Sequence, residues 1–369
     1  MQEKNKMNKI IYLDTAASMQ KPQQVIQNMA DFLGEKYANA GRGVCERVTN
    51  VDKMIDGARN SVADFIGADK SQIVWTGGAT DALSRIVNIV GVDKNTVVGV
   101  SDLDHHSARL PFVACGGQVV VCPLDNALNI DTEKIPQVDV LIVSAMSNVI
   151  GVAQDAQNIV RKAREKNPNV IVVVDATQFV VHCDINVKLW DADFVVFSGH
   201  KIGADTGVGV MYMKEPCRWR PDKFGGGMVK VVNDDNSWVA VDVPECFEAG
   251  TLPLTQISGL VVAIDCLKKK RPDLGLIKYM YDELQKNKRV KIISPRDASL
   301  LTFVIDDMHV LDFGALVGAG GVCLRVGNMC ASWIHKYLQI PGSVRISVGP
   351  QNTEDEIKRA LEIIKGVVK

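Results

Sequence analysis

The sequence predicts an α/β fold: a large unit built on a mainly parallel, seven-stranded sheet, joined to a smaller α+β unit. Three observations carry that prediction. Between roughly residues 70 and 215, short apolar runs alternate with amphipathic stretches of helical length. The apolar runs are continuous in Val and Ile and do not alternate with polar residues, as expected of strands covered on both faces by helices. From about Phe247 onward the texture changes to longer helical stretches with a few separated strands.

In chain order, the predicted strands of the large unit are Ile73–Thr76, Val97–Ser101, Gln118–Cys122, Val138–Ala145, Val170–Asp175, Phe194–Ser198 and Gly207–Met213. Helices are predicted over Thr80–Val90, Ser107–Cys115 and Ala156–Lys166, where apolar residues recur at helical spacing. In the smaller unit, Leu260–Leu267 and Leu274–Lys286 read as helices, and Ser299–Ile305 and Gly321–Val326 as strands. A last helix starts near Thr353, a capping residue followed by acidic residues in the first turn. These limits predict a large domain over 20–250 and a small domain over 251–369, completed by the N-terminal segment 1–19. Gly225-Gly226-Gly227 and Gly318-Ala319-Gly320-Gly321 lack the G-x-G-x-x-G spacing between strand and helix, so they read as turns and not nucleotide loops.

With 369 residues, 47% hydrophobic and 23% charged, the chain can bury cores for both units. A net charge of -1 offers no electrostatic footprint for nucleic acid or an anionic membrane. The opening residues run directly into the strand-like Ile10–Leu13, which is too short for a signal-peptide core, and no stretch has the length of a membrane span. Nine cysteines occur without C-x-x-C spacing, and Cys122 and Cys323 fall in apolar strands. The expectation is a reducing cytoplasm, with no disulfide framework and no metal site.

Two strand ends carry the chemistry. Lys201 lies in Phe197-Ser198-Gly199-His200-Lys201, at the end of a buried strand, and Asp175 ends Val172-Val173-Val174-Asp175. An amine and a carboxylate so placed suit pyridoxal 5'-phosphate: the lysine forms a Schiff base, and the carboxylate keeps the pyridine nitrogen protonated. Trp75-Thr76-Gly77-Gly78-Ala79-Thr80 joins a strand to a helix, where glycines and a helix N-terminus can cradle a phosphate. Taken alone it reads as an ordinary turn, and the cradle reading gains weight from Asp175 and Lys201. In Asp104-His105-His106-Ser107 an imidazole can stack on a ring or move protons. Near the C-terminus, Arg325 and Arg345 are candidates for holding a carboxylate bidentately. The chemistry of the residues does not single out Cys330 from the other eight cysteines.

These motifs, in order, are similar to those of the aminotransferase class V enzymes of the fold-type I pyridoxal-phosphate group. Within them the chain resembles the cysteine desulfurase and selenocysteine lyase group. The resemblance runs from Tyr12-Leu13-Asp14-Thr15-Ala16-Ala17-Ser18 to the final helix. It is most specific at Ser198-Gly199-His200-Lys201, Ser147-Asn148-Val149-Ile150-Gly151, Asp104-His105-His106, Phe247-Glu248-Ala249-Gly250-Thr251 and Arg325…Cys330-Ala331 with Arg345. It implies Lys201 as the Schiff-base lysine, Asp175 as the pyridinium partner, Gln178 on the ring hydroxyl and His105 stacked on the ring. Ala79, Thr80, Ser198 and His200 would hold the phosphate, with Thr251 coming from the other subunit of a homodimer. Asn148 and Arg345 would bind the carboxylate of L-cysteine. Cys330 would take its sulfur as a persulfide, release alanine, and pass the sulfur to a small acceptor protein for iron–sulfur cluster assembly.

The chain departs from this pattern in places. Asn328-Met329 stand where desulfurases of this type usually carry two histidines, and Arg42-Gly43-Val44-Cys45 lacks another. Ile202-Gly203-Ala204-Asp205-Thr206 lacks a usual glycine-proline. The first two changes remove imidazoles that would activate a thiol. Rival readings are another reaction on the same scaffold (an aminotransferase, or a β- or γ-lyase) and a non-catalytic homologue. Cys330 discriminates against the first, since transamination needs no thiol. Lys201, Asp175 and Arg345 together argue against the second.

Overall fold

Backbone placement follows the burial of the apolar runs, as seen in a computed structural model that describes residues 10–41 and 43–369. Residues 1–9 of the N-terminal segment, and Arg42 of the Arg42-Gly43-Val44-Cys45 stretch, lie outside the described residues. The described chain opens with β1 (Ile11–Tyr12), α1 (Gln23–Asp31), a π-turn over Phe32–Lys36, and the long α2 (Glu46–Ile66). The predicted elements include neither helix, although the apolar stripe of α2 (Val51, Ala58, Val62, Phe65, Ile66) recurs at helical spacing and is buried along its length.

The large sheet comprises β2 (Ile73–Thr76), β3 (Val97–Val100), β4 (Gln118–Val121), β5 (Val140–Ser144), β6 (Ile171–Asp175), β7 (Phe194–Ser198) and β8 (Gly209–Met213). Between them run α3 (Ala79–Val90), α4 (His106–Ala114), α5 (Ala156–Lys166), α6 (Phe179–His182) and α7 (Val187–Trp190). Strand order is β2-β8-β7-β6-β5-β3-β4, parallel throughout except β8, which opposes both of its neighbours. The seven strands match the predicted ones to within a residue or two. Every residue of β5, β7 and β8 is buried, as continuous Val/Ile runs require. The edge strand β4 differs: Val120 and Val121 are exposed, since it is the last strand of the sheet among the described residues.

Beyond the sheet come an antiparallel hairpin, β9 (Val229–Val232) with β10 (Trp238–Ala240), and then α8 (Leu254–Lys269) and α9 (Leu274–Leu284). The chain continues through β11 (Val290–Ile292), β12 (Leu301–Ile305), α10 (Val310–Ala319), β13 (Val322–Cys323), β14 (Arg325–Gly327), α11 (Ser332–Tyr337), β15 (Ser343–Ile346) and α12 (Glu354–Val367). Thr353 caps α12 in a reciprocal box with Glu356. The strand expected over Gly321–Val326 is two strands. β13 pairs in parallel with β1, whereas β14 joins β15 in a second sheet of order β11-β12-β15-β14, so the chain changes partner at Leu324. Gly318, expected in a turn, is helical, and Cys323, expected in a buried strand, is exposed.

Two cores result. Ile11 and Leu13 pack with α9, α10, α12, β12 and β15, while α8 packs with α1 and α2 against the large sheet. Gly259 of α8 lets α1 pack close: a Cβ there would lie 2.8 Å from Met29 Sδ and would displace that side chain.

A pair of buried guanidiniums holds the Phe247-Glu248 turn to the large sheet. Arg59, 3% exposed, forms two 2.8 Å bonds to the Glu248 carboxylate, which also accepts from Trp75 N. Arg85 bonds Asp222 and donates to Phe247 O. Removing one member of such a pair strands a buried charge. Arg59→Met is therefore expected to lower stability by about 3–5 kcal/mol, measured as the urea midpoint. The double variant Arg59→Met/Glu248→Gln should recover part of the loss, because a neutral amide still accepts from Trp75. Equal stability of the single variant and wild type would show that the pair contributes nothing.

Candidate active site

The candidate site lies beyond the C-terminal ends of the parallel strands, where α/β sheets place their ligands. It is a cavity of about 300 Å³, at the lower end of the range for small-molecule pockets. The turns after β2, β3, β5, β6 and β7 meet there with the Ala16-Ala17 turn and with Arg325, Cys330 and Arg345 from the smaller unit.

At one end of the cavity, Gly77-Gly78 leads into α3. Gly78 has φ 142°, and Gly209 of β8 packs so closely that a Cβ on it would stand 2.5 Å from Gly78 Cα. The Ser198 hydroxyl reaches across from β7 and accepts from Ala79 N at 2.8 Å. Thr80 and His200 complete this end. Burial, reinforced by the charge of Lys201, brings His200 down to about 4, so its imidazole is neutral at physiological pH. A helix N-terminus with the hydroxyls of Thr80 and Ser198 beside it makes a cradle for a phosphate-like group, with the Asp81 carboxylate at its edge accepting from Gly77 N at 2.9 Å.

Lys201 closes a 3₁₀ turn after β7 and is largely buried, not solvent-facing as a strand end alone suggests. Its Nζ donates to Ala16 O (2.7 Å) and Ala17 O (3.0 Å), and Gln178 Nε2 donates to the same Ala16 O (2.9 Å). Burial, and next the positive charge of Arg345, lower the amine to about 8. Asp175, 6% exposed, accepts from Thr177 N. His105 caps α4: its Nδ1 accepts from Ser107 N (3.2 Å), and burial lowers its pKa.

The opposite end is basic. Arg345, 2% exposed, donates from Nη2 to Asp14 (3.0 Å) and from Nη1 to Asn148 O (2.7 Å). Arg325 bonds the other oxygen of Asp14 at 2.5 Å. Asn148 Nδ2 donates to Met329 O, beside the exposed Cys330. Three buried polar atoms here and nearby, Asn148 Oδ1, Thr177 Oγ1 and Arg345 Nε, have no hydrogen-bond partner among the described residues. Such orphans are rare in interiors and mark places where a ligand completes the bonding.

Of the residues singled out in the sequence, Lys201, Asp175, Gln178, His105, Ala79, Thr80, Ser198, His200, Asn148, Arg345 and Cys330 all line this one cavity. Thr251 does not: it lines a separate cavity with Asp52, Arg59 and Gly226. Two carboxylates gain roles that sequence reasoning missed. Asp14 joins both arginines. Asp104 is fully buried, accepts from Ser101 N (2.7 Å) and from Ser144 Oγ (2.8 Å), and is pushed up to about 7 by burial. The one signal for Asp14 was a carboxylate directly after an apolar run, whereas Asp104 stands a short turn beyond the run Val97–Val100.

The family model for aminotransferase class V matches residues 11–360. A probable cysteine desulfurase of Vibrio cholerae is 31% identical, over 98% of this chain and 94% of that protein. Among solved structures, the apo cysteine desulfurase of Thermococcus onnurineus NA1 superposes with a TM-score of 0.91 at 28% identity, covering 97% of this chain and 94% of that one. The Escherichia coli cysteine desulfurase CsdA, in an S-sulfonic acid form, gives a TM-score of 0.89 at 28% identity and the same coverage.

The lowered pKa of Lys201 has a direct readout. Only the free amine reacts with aldehydes, so a lowered pKa brings reactivity to lower pH. In cofactor-free protein, reductive methylation of Lys201 should rise with pH and level off above about 8. Exposed lysines should continue to gain up to about 10.4. Peptide mass analysis reads both, and a Lys201 profile that follows the exposed lysines would contradict a buried, charge-crowded amine.

Proposed function

The chain belongs to the aminotransferase class-V family and is an enzyme of the cysteine desulfurase type, and on that premise we propose that it is a pyridoxal 5'-phosphate enzyme that takes sulfur from L-cysteine onto Cys330. The observation that carries this reading is the convergence of Lys201, Asp175, Arg345 and Cys330, from four distant stretches of chain, on one cavity.

The residues present fit the cofactor. The cradle at Ala79, Thr80, Ser198 and His200 suits its phosphate, Asp175 its ring nitrogen, Gln178 its ring hydroxyl, and His105 its ring face. Thr251 lies outside the cavity, in keeping with its donation to the site of a second copy in a homodimer. When bound, the cofactor supplies an electron sink for charge developing at the substrate Cα. Arg345 orients the substrate carboxylate through its unpartnered Nε, and the neighbouring Asn148 positions the substrate from the other side. Lys201, with its pKa near 8, moves the α-proton: its amine is partly free at neutral pH. The Cys330 thiolate attacks the substrate sulfur. A sulfur–sulfur bond forms as the carbon–sulfur bond breaks, the bonding pair stays with carbon, and alanine leaves.

Exposure of Cys330 supports transfer of the persulfide sulfur to a small acceptor protein. The biological setting we propose is cytoplasmic iron–sulfur cluster assembly. No helix among the described residues is long and apolar enough to cross a membrane.

Two experiments test this reading. Borohydride treatment of protein loaded with pyridoxal phosphate should fix the label on one peptide, the one containing Lys201; fixation elsewhere refutes the lysine assignment. Cys330→Ala should keep cofactor and L-cysteine binding, seen in the visible spectrum, and lose nearly all alanine release and persulfide. Equal alanine release by Cys330→Ala and wild type would favour a transaminase or simple lyase.

A further inference from the structure

The turn that carries Cys330 has a backbone conformation its residues do not favour. Met329 and Cys330 have φ of 51° and 54°, two successive left-handed residues of which neither is glycine. Such a pair persists only where its surroundings over-determine it. Asn148 Nδ2 donates to Met329 O (2.8 Å), and Ala331 N donates to Asn328 O (2.8 Å). The other holds come from one residue. His106 N donates to Cys330 O (2.7 Å), and His106 Nε2 accepts from Ser332 N (3.1 Å).

His106 thus grips the turn on both sides of Ala331, once with its backbone and once with its ring. The ring is itself braced, edge-on to Trp333 at 5.1 Å, and Arg109 lies 4.5 Å over that indole. Because Nε2 accepts the Ser332 amide, it is engaged and cannot also take a proton from the Cys330 thiol. Burial lowers the pKa of His106, which favours the neutral ring that can accept this bond. Asn328 and Met329 carry no imidazole, so the histidine bonded to this turn comes from α4 and not from the turn itself.

We propose that His106 is a positioning residue for the Cys330 thiol, fixing the left-handed Met329–Cys330 turn through the bond between its ring and the Ser332 amide. The inference rests on Cys330 as the sulfur acceptor for its importance, but not for its geometry. His106 moves no proton and touches no substrate. It keeps the thiol at the cavity mouth, where a relaxed turn would carry it away.

The test uses full-length, cofactor-loaded protein and two readouts. Hydrogen exchange of the peptide spanning residues 329–334 reports the Ser332 amide directly, and steady-state alanine release from L-cysteine reports the thiol. His106→Ala should speed exchange in that peptide and leave the rest of the chain as in wild type. It should also lower kcat about fivefold, the equivalent of about 1 kcal/mol, with KM little changed. His106→Gln, whose Oε1 can reach the position of Nε2, should restore both. If the alanine variant is insoluble, His106→Asn takes its place, because its shorter amide cannot reach Ser332. Wild-type exchange in the alanine or asparagine variant, or failure of glutamine to restore it, would overturn the proposal. Loss of kcat in the glutamine variant with exchange restored would also overturn it, by giving the imidazole a chemical role. Absence of alanine release from wild type would overturn the desulfurase reading alone, since exchange still decides whether His106 holds the turn.

Discussion

A single buried carboxylate, Asp14, sets the geometry from which the rest of the site follows. It lies between the guanidiniums of Arg345 and Arg325 and takes one on each oxygen. A guanidinium as buried as Arg345 is tolerated only when its charge is paired, and Asp14 supplies that pair. Asp14 is itself fixed, by the pairing of β1 with β13 and by its bridge to Ser347. The turn it starts presents the carbonyls of Ala16 and Ala17, and both accept from Lys201. Arg345 in turn donates to Asn148 O beyond β5. One carboxylate therefore links the amine, the buried Arg345 and both cores.

The parallel sheet supplies the second constraint. Register sets Asp175 opposite Ser144 on one side and Val196 on the other, so polar side chains gather where the strands end. Interiors penalise polar groups without partners, and the strand ends are where the hydrophobic layers stop. Asp104 uses that edge, tying the end of β3 at Ser101 to the end of β5 at Ser144. Its position next to His105 means that the same latch sets where α4 begins.

Rigidity is distributed according to what each part must do. The phosphate-like cradle is held by close backbone approach, with Gly78 against Gly209 and Ser198 bonded to Ala79. The Cys330 turn is exposed at its tip yet bonded on either side, by Asn148 and by His106. On the proposed reading, Cys330 meets both a bound substrate and an external acceptor, which requires access and a fixed position together. A short strained turn held from behind gives both.

Local pattern in the chain was enough for the seven-stranded sheet, and it marked Lys201 and Asp175 as chemistry at strand ends. Continuous apolar runs and the residue that ends each one are neighbours in sequence, so their physics is readable there. The helices α1 and α2 were missed, although the buried stripe of α2 runs at helical spacing from Val51 to Ile66. The split at Leu324 was hidden as well, since it depends on which strand each half meets. The roles of Asp14 and of His106 were equally silent: Asp14 meets its arginines across 311 and 331 residues, and His106 meets Ser332 across 226. Long-range pairs leave no periodicity in a sequence. The sequence by itself offered candidates for the chemistry, Lys201 and Asp175 from local pattern and Cys330 only through resemblance, and the tertiary structure alone decided how they are held, because holding depends on partners brought near only by packing of the two cores.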